Sequence, residues 1–495
     1  MEKLSYSLLE SSGYNGYLLR EAPERILQFG EGNFLRAFVD YFVDILNEKC
    51  SFDSKVVVVQ PIANGLADMI NEQDGLYTLY LRGFENGVSV NKKRIISSIS
   101  RCINPYSDFS AFMENAHNPL LRFIVSNTTE AGIAFDPSCR FDDAPAVSFP
   151  AKLTRFLFER FTAFDGAADK GFVILSCELI DNNGKELEKL VLKYADMWGL
   201  SDKFKTWVLN SNLFCNTLVD RITTGYPRAE ASRLNEQNGY LDSLLDTAEI
   251  FGFWVIEAPD SVKTELKLAD SGLPILVCGD HKPYKKRKVR ILNGAHTSTV
   301  LAAYLMDYDI VRDCMNDEDI SKFISSLLND EIIPVIPLPL DELTSFSSSV
   351  IERFKNPFID HRLLDISLNS VSKWKARVMP SMLEYIEIKH RLPRKIVFSF
   401  AALLAFYTGT ELVGTELHAV RAGEVYTVKD DRSNLEFFLK SSRLSSAEYV
   451  KAVASNTAMW GIDLSEVDGF CDMAAAYLDT MRTQSMRAAM ESANA

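Results

Sequence analysis

Residues 25–36 read RILQFGEGNFLR. The first five, RILQF, are apolar enough for a short strand. Gly30-Glu31-Gly32-Asn33 then breaks the run, and residues 34–48 carry Phe34, Phe38, Phe42 and Ile45 at helical spacing. A strand, a glycine turn and a helix in that order make a GxG worth reading as a dinucleotide site. Glycines let backbone approach a pyrophosphate, and the helix N-terminus offers free N–H groups and a positive dipole. Phe29, Gly30, Gly32, Asn33 and Phe34 are therefore candidate cofactor contacts. Leu35 stands where the third glycine of GxGxxG would be, so the motif by itself also fits a tight turn without a ligand.

Working outward, residues 55–60 (KVVVVQ) form a β-branched run of the kind buried on both faces of a sheet. Residues 122–126 (RFIVS) and 172–176 (FVILS) look the same. Strands alternating with helices predict a parallel, doubly covered sheet. The second strand ends in Gln60-Pro61. An acid there would hold the ribose hydroxyls and an Arg would bind a 2′-phosphate. Without the acid this position does not decide for NAD; the missing Arg tilts the expectation slightly to NAD, with Gln60 at the ribose end.

From about residue 289 the pattern turns mainly helical, over 289–306, 321–328, 382–389 and 396–407. The fold class expected is an α/β Rossmann-like domain, residues 1–284, followed by a mostly α-helical domain, residues 285–495. The boundary falls in the polar segment 279–287 (GDHKPYKKR).

The chain is 495 residues long with a net charge of -14, too long for one core and too acidic for non-specific nucleic-acid binding. The opening residues are polar, so no secretory signal is expected. The longest apolar run, 396–407, is too short to span a bilayer. Eight scattered cysteines without a CxxC pair argue for reduced thiols in a cytoplasmic protein, and six histidines without HExxH argue for no metal. A small-molecule partner is expected, with no nucleic acid or membrane, in a monomer or small homo-oligomer.

The most informative chemistry lies in Lys288-Val-Arg-Ile-Leu-Asn293-Gly-Ala-His296. Asn293 and His296 are three apart and share a helix face; Lys288 is expected at the helix entry. A lysine sheltered from water can act as a general base. An Asn amide can donate to a developing alkoxide, and a neutral His can orient the same oxygen. The plainer alternative is a capped helix beside a solvated basic face, since Lys285, Lys286, Arg287 and Arg290 crowd the same stretch.

The combination of QFGEGNFLR, VDRI at 219–222 and KVRILNGAH resembles the mannitol dehydrogenase family of long-chain polyol dehydrogenases. Supporting stretches are QDGLYTLYLRG (73–83), SNTTEAGI (126–133), FDDAPAVSFPAKLTRFLF (141–158), CELIDNNG (177–184) and NTLVDRITTGYPR (216–228). The resemblance covers nearly the whole chain and is nearest to members acting on sugar acids. It implies an NAD-dependent, metal-independent interconversion of ketone and alcohol on a keto or hydroxy hexonate. Lys288 is then the general base, Asn293 and Asn183 are donors to the reacting oxygen, and His296 helps place the substrate. Asn182, next to Asn183, is the other candidate if the match slips by one. Asp220 is implied in substrate contact, with an ion pair to Arg221 as its alternative.

The chain also departs from the family. Polyol members commonly carry Asp-Asn after the cysteine where this chain has Glu178-Leu179. A family Arg, eight residues before a substrate-binding Lys, is here Asp365, with Lys373 in the Lys position and Arg362 nearby. A substrate carboxylate needs a cation, and Lys373 and Arg362 are the candidates. Sibling substrates (fructuronate, mannitol, a sugar phosphate) and a non-catalytic nucleotide sensor remain the rival readings.

Overall fold

The computed structural model describes residues 1–495 apart from Asn86 and Glu130, the latter within the 126–133 stretch quoted above. The chain forms two compact units, Met1–His281 and Lys282–Ala495. Their division lies inside the polar segment 279–287, slightly before the 284/285 boundary expected.

The first unit contains β1 Glu24–Phe29, β2 Lys55–Val59, β3 Tyr77–Glu85, β4 Val88–Ile96, β5 Ile99–Ile103, β6 Phe123–Ser126, β7 Val173–Ser176, β8 Leu213–Asp220, β9 Asp246–Glu249, β10 Phe253–Glu257 and β11 Ile275–Cys278. The main sheet runs β11-β10-β8-β7-β6-β1-β2-β5. Its six strands from β5 to β8 are parallel and follow the doubly wound 3-2-1-4-5-6 order. The β-branched run of β2 explains its place: every residue is buried. Val56 and Val58 enter one core with Phe38 and Phe42, while Val57 and Val59 enter the other with Phe112 and Phe156. That is the period-two alternation of a strand covered on both faces. A smaller sheet, β4-β3-β9, lies within the same unit.

In the second unit the helix Arg394–Phe406 is buried on nearly every side, so the apolar run is a core helix. Among the described residues no helix is long and apolar enough to cross a membrane. The unit is mostly α-helical, as expected, with one addition and one correction. A three-stranded antiparallel sheet, Gly409–Val413, Glu416–Arg421 and Glu424–Lys429, interrupts the helical pattern. Its second hairpin turns at Ala422 and Gly423, both at positive φ, as a two-residue loop demands. The helix expected over 289–306 also begins earlier. It runs as an α-helix over Lys282–Arg287, a π-helix over Lys288–Asn293 and an α-helix over Gly294–Leu305.

Candidate active site

In the first unit the glycine turn sits where the strand order reverses. Phe29 ends β1 between Val59 of β2 and Ser126 of β6. Gly30 has φ +123°, and a Cβ there would lie 3.0 Å from the Asn127 carbonyl oxygen, so the backbone requires glycine. Gly32 is the N-cap of the next helix, no side chain caps it, and a Cβ there would meet nothing. A cavity of about 620 Å³ opens at this point, lined by Gly30, Gly32, Pro61, Asn127, Thr128 and Ser148 among others. Burial raises the carboxyl pKa of Glu31, also in its wall, and so favours the uncharged form there.

Several predicted contacts turn out to build the turn. Asn33 accepts from Arg36 Nη2 at 2.6 Å. Arg36, which sequence reasoning passed over, also donates to the carbonyls of Glu31 and Leu244. Phe34 stacks on Phe38 at 5.0 Å. Gln60 is buried; its amide donates to the carbonyls of Ile62 and Ala63 and accepts from the Ala67 N–H. It shapes the loop after β2 and does not present its amide outward as expected of a ribose contact.

In the second unit the π-helix changes the geometry of the Lys–Asn–His set. Residues five apart project about 140° apart on an α-helix. Here the Gly294 N–H reaches back to the Val289 carbonyl, an i→i−5 bond. One such wide turn brings Lys288 round toward the face of Asn293, and His296 follows three residues on. Lys286 and Arg290 both bind Glu384, which accounts for part of the basic run. Among the described residues the Asn293 side-chain amide has no protein hydrogen bond. His296 Nε2 is enclosed without one, and its ring stacks on Phe354 at 4.2 Å. Burial, then His361, Arg353, Arg377 and Lys373, hold its pKa well below the usual value.

Asn183 requires a correction. It starts the helix Asn183–Met197, and its Nδ2 donates to the carbonyls of Ser176, Glu178 and Thr217. Its Oδ1 accepts from the Gly184 and Thr217 N–H groups. Both amide hydrogens are spent on backbone, so it is a clamp between β7 and β8 and has no donor left for a substrate. Asn182 is exposed, with left-handed backbone. Asp220 is buried at the end of β8, opposite Phe253. Arg221 turns its guanidinium to the carbonyls of Ala37, Ile250 and Phe251, not to Asp220. Arg362 is exposed at the N-cap of a short helix. Lys373 is among the cations bearing on His296, and its Nζ donates to the Ile366 carbonyl. Glu178, the departure noted after Cys177, is buried and accepts from Ser126 Oγ, the Thr128 N–H and Thr128 Oγ1.

The model of the mannitol dehydrogenase Rossmann domain matches residues 24–270, and that of the mannitol dehydrogenase C-terminal domain matches residues 280–482. The chain belongs to the mannitol dehydrogenase family. As a member of that family it is an oxidoreductase. It is 48% identical over 476 residues to an altronate oxidoreductase of Klebsiella pneumoniae (strain 342), covering 95% of this chain and 96% of the relative. An altronate oxidoreductase of Escherichia coli O139:H28 is 48% identical over 475 residues, covering 94% and 96%. Among solved structures, substrate-free D-sorbitol dehydrogenase has the same fold, with a TM-score of 0.80 at 22% identity over 99% of this chain and 100% of that one. So does Pseudomonas fluorescens mannitol 2-dehydrogenase in complex with NAD and D-mannitol, with a TM-score of 0.67 at 21% identity over 99% of both chains.

For a mannitol dehydrogenase family member, the first unit fits a dinucleotide on its own geometry. The cavity lies at the switch point of the sheet, the backbone at Gly30 and Gly32 is bare, and the helix end is uncapped. Among the described residues Glu257, Asp280 and His281 bring ligand atoms within 4.8 Å of one another. His281 Nδ1 is already hydrogen-bonded to Glu257, so this trio reads as a buried histidine paired with a half-buried carboxylate beside an exposed acid.

Proposed function

We propose that this chain interconverts D-tagaturonate and D-altronate, with NAD as the hydride carrier. The observation that carries the reading is the 48% identity over 95% of the chain to altronate oxidoreductases. The alignment of Lys288, Asn293 and His296 along one helix supports it. The solved relative that holds NAD, and the lack of an Arg at the end of β2, agree with NAD.

NAD, when bound, takes the hydride from the substrate carbon or returns it. The turn at Gly30 and Gly32 and the helix end behind it receive the pyrophosphate. In reduction, Asn293 Nδ2 donates a hydrogen bond to the ketone oxygen and steadies the charge that develops there. Lys288 Nζ delivers the proton to that oxygen, and in oxidation takes it back. His296, kept neutral by its surroundings, turns Nε2 to the same sugar and fixes its orientation. Asp220 is assigned to substrate contact. With free cysteines throughout and no long apolar helix among the described residues, we place the enzyme in the cytoplasm, as a monomer or small homo-oligomer.

The deciding experiment is a panel of tagaturonate, fructuronate, the ketose partner of mannitol and a sugar phosphate, each with NADH and NADPH. Tagaturonate with NADH should be fastest. A strong rate in the mannitol couple with none on tagaturonate defeats the proposal. Lys288→Ala should lower turnover by orders of magnitude while NADH still binds; near-normal turnover removes Lys288 as the base.

A further inference from the structure

The second unit gathers basic groups around His296. His361 meets the His296 ring edge-on at 5.5 Å. Arg353 immediately precedes Phe354, which lies flat on that ring. Lys373 and Arg377 are four apart on the helix Ser370–Arg377 and share a face. The end of that helix packs against the helix carrying His296: a Cβ on Gly294 would lie 3.4 Å from the Arg377 carbonyl oxygen. Burial first, then these four basic groups, oppose a proton on His296.

The acids bearing on His361 and Lys373 are exposed or already engaged. Asp365, which acts on His361, is exposed. Asp430, which acts on Lys373, accepts from the Tyr407 hydroxyl, the Val371 N–H and Asn434 Nδ2. Arg377 is the clearest case. Its guanidinium is partly buried, burial alone lowers its pKa, and among the described residues it has no hydrogen bond or ion pair to protein. A cation at the end of a helix gains from the dipole, but that gain needs no burial. A desolvated guanidinium without a partner costs free energy unless an anion arrives. A planar fork of N–H donors is matched by a carboxylate.

We infer that Arg377, with Lys373 one helical turn before it, receives the carboxylate of the sugar acid beside His296. This rests on the substrate class proposed above and replaces Arg362 in the cation pair expected from sequence. Arg377 thereby sets the preference for a hexonate over a neutral polyol.

The test uses the full chain with NADH and tagaturonate. In Arg377→Ala the KM for tagaturonate should rise at least about 30-fold, the low end for truncating one partner of a buried charged pair. The Kd for NADH should not change, and millimolar guanidinium should restore part of the loss. Arg377→Lys, which keeps the charge but not the fork, should fall between, and Arg377→Gln serves if the alanine variant does not fold. A KM that moves less than about threefold in folded Arg377 variants overturns the inference while leaving the proposed reaction standing. A loss that guanidinium does not touch, with NADH binding weakened in parallel, also overturns it. A wild type that reduces neutral ketoses and ignores tagaturonate removes the substrate reading and this inference together.

Discussion

His296 lies flat against Phe354, with ring centroids 4.2 Å apart and planes 19° apart. The stack fixes the imidazole plane and leaves Nε2 enclosed without a protein partner. Burial first, then the four surrounding basic groups, oppose a charge on the ring. A neutral imidazole held in one orientation can direct a sugar oxygen without competing with Lys288 for the proton.

That environment makes stability depend on pH with a definite sign. His361 is likewise lowered, chiefly by burial. In the unfolded chain both rings take up protons near pH 6.5, while in the folded chain they resist it. The unfolded state then binds more protons as the pH falls. The stability gained from burying neutral rings is complete above about pH 6.5 and is lost progressively below it. Tm measured from pH 8 to 5 should decline more steeply for the wild type than for His296→Gln. Parallel curves would mean that His296 charges in the folded protein.

Asn183 and Asn293 should fail in opposite ways when truncated. Asn183 satisfies three carbonyls and two N–H groups where β7, β8 and a helix start converge. Asn183→Ala leaves several of these buried and unpaired, each at about 1–3 kcal/mol. Its Tm should drop sharply, while the turnover per folded molecule stays close to wild type. Asn293 has no such duty. Asn293→Ala should melt like the wild type and lose on the order of 100-fold in kcat, the scale of one oxyanion donor. Calorimetry and steady-state kinetics on the two variants decide it, and an exchange of the two phenotypes would return the donor role to Asn183.

Glu178 should act on the cofactor at a distance. Its carboxylate ties Ser126 and Thr128, and Thr128 lines the cavity at the glycine turn. Glu178→Ala should weaken NADH binding by roughly 10-fold, as a wall of the cavity loses two or three hydrogen bonds. The KM for the sugar at saturating NADH should hardly move. Glu178→Gln keeps an acceptor oxygen and should recover much of the affinity. Fluorescence titration with NADH reads this directly; an unchanged Kd in Glu178→Ala would make the residue a matter of stability alone.

What the sequence made legible follows from which forces are local. The strand–turn–helix at residues 25–48 and the KVVVV strand show themselves because β-branched runs and glycines act within a few residues. The parallel sheet and the switch-point cavity follow from them. Asn183 misled because its partners include Thr217, 34 positions away, and sequence does not separate a saturated amide from a free one. Arg362 and Arg377 look alike as letters; only the fold shows that the first is exposed and the second partly buried. The hairpin turn at Ala422 and Gly423 left a signal, alternating residues on both sides of a turn glycine, which the helical surroundings masked. Nothing in the periodicity announces a π turn.

The π turn supplies the sharpest remaining prediction. It holds one residue more than an α-helix would between Lys288 and the helix that carries Asn293 and His296. Val289 is only partly buried, whereas Ile291 and Leu292 are core residues and Arg290 is tied to Ser381 and Glu384. Deleting Val289 should let the helix relax to α pitch with its core contacts kept. Lys288 then stands four positions from Asn293, about 40° away on the same face. The lysine keeps its aim without the wide turn. Folding and NADH binding should survive, with kcat within about tenfold of wild type, well short of the loss expected for a misplaced proton-transfer group. Circular dichroism, NADH titration and single-turnover rates separate these effects. A loss of about 100-fold or more in a folded deletion variant would show that the wide turn aligns Lys288 in a way α pitch does not.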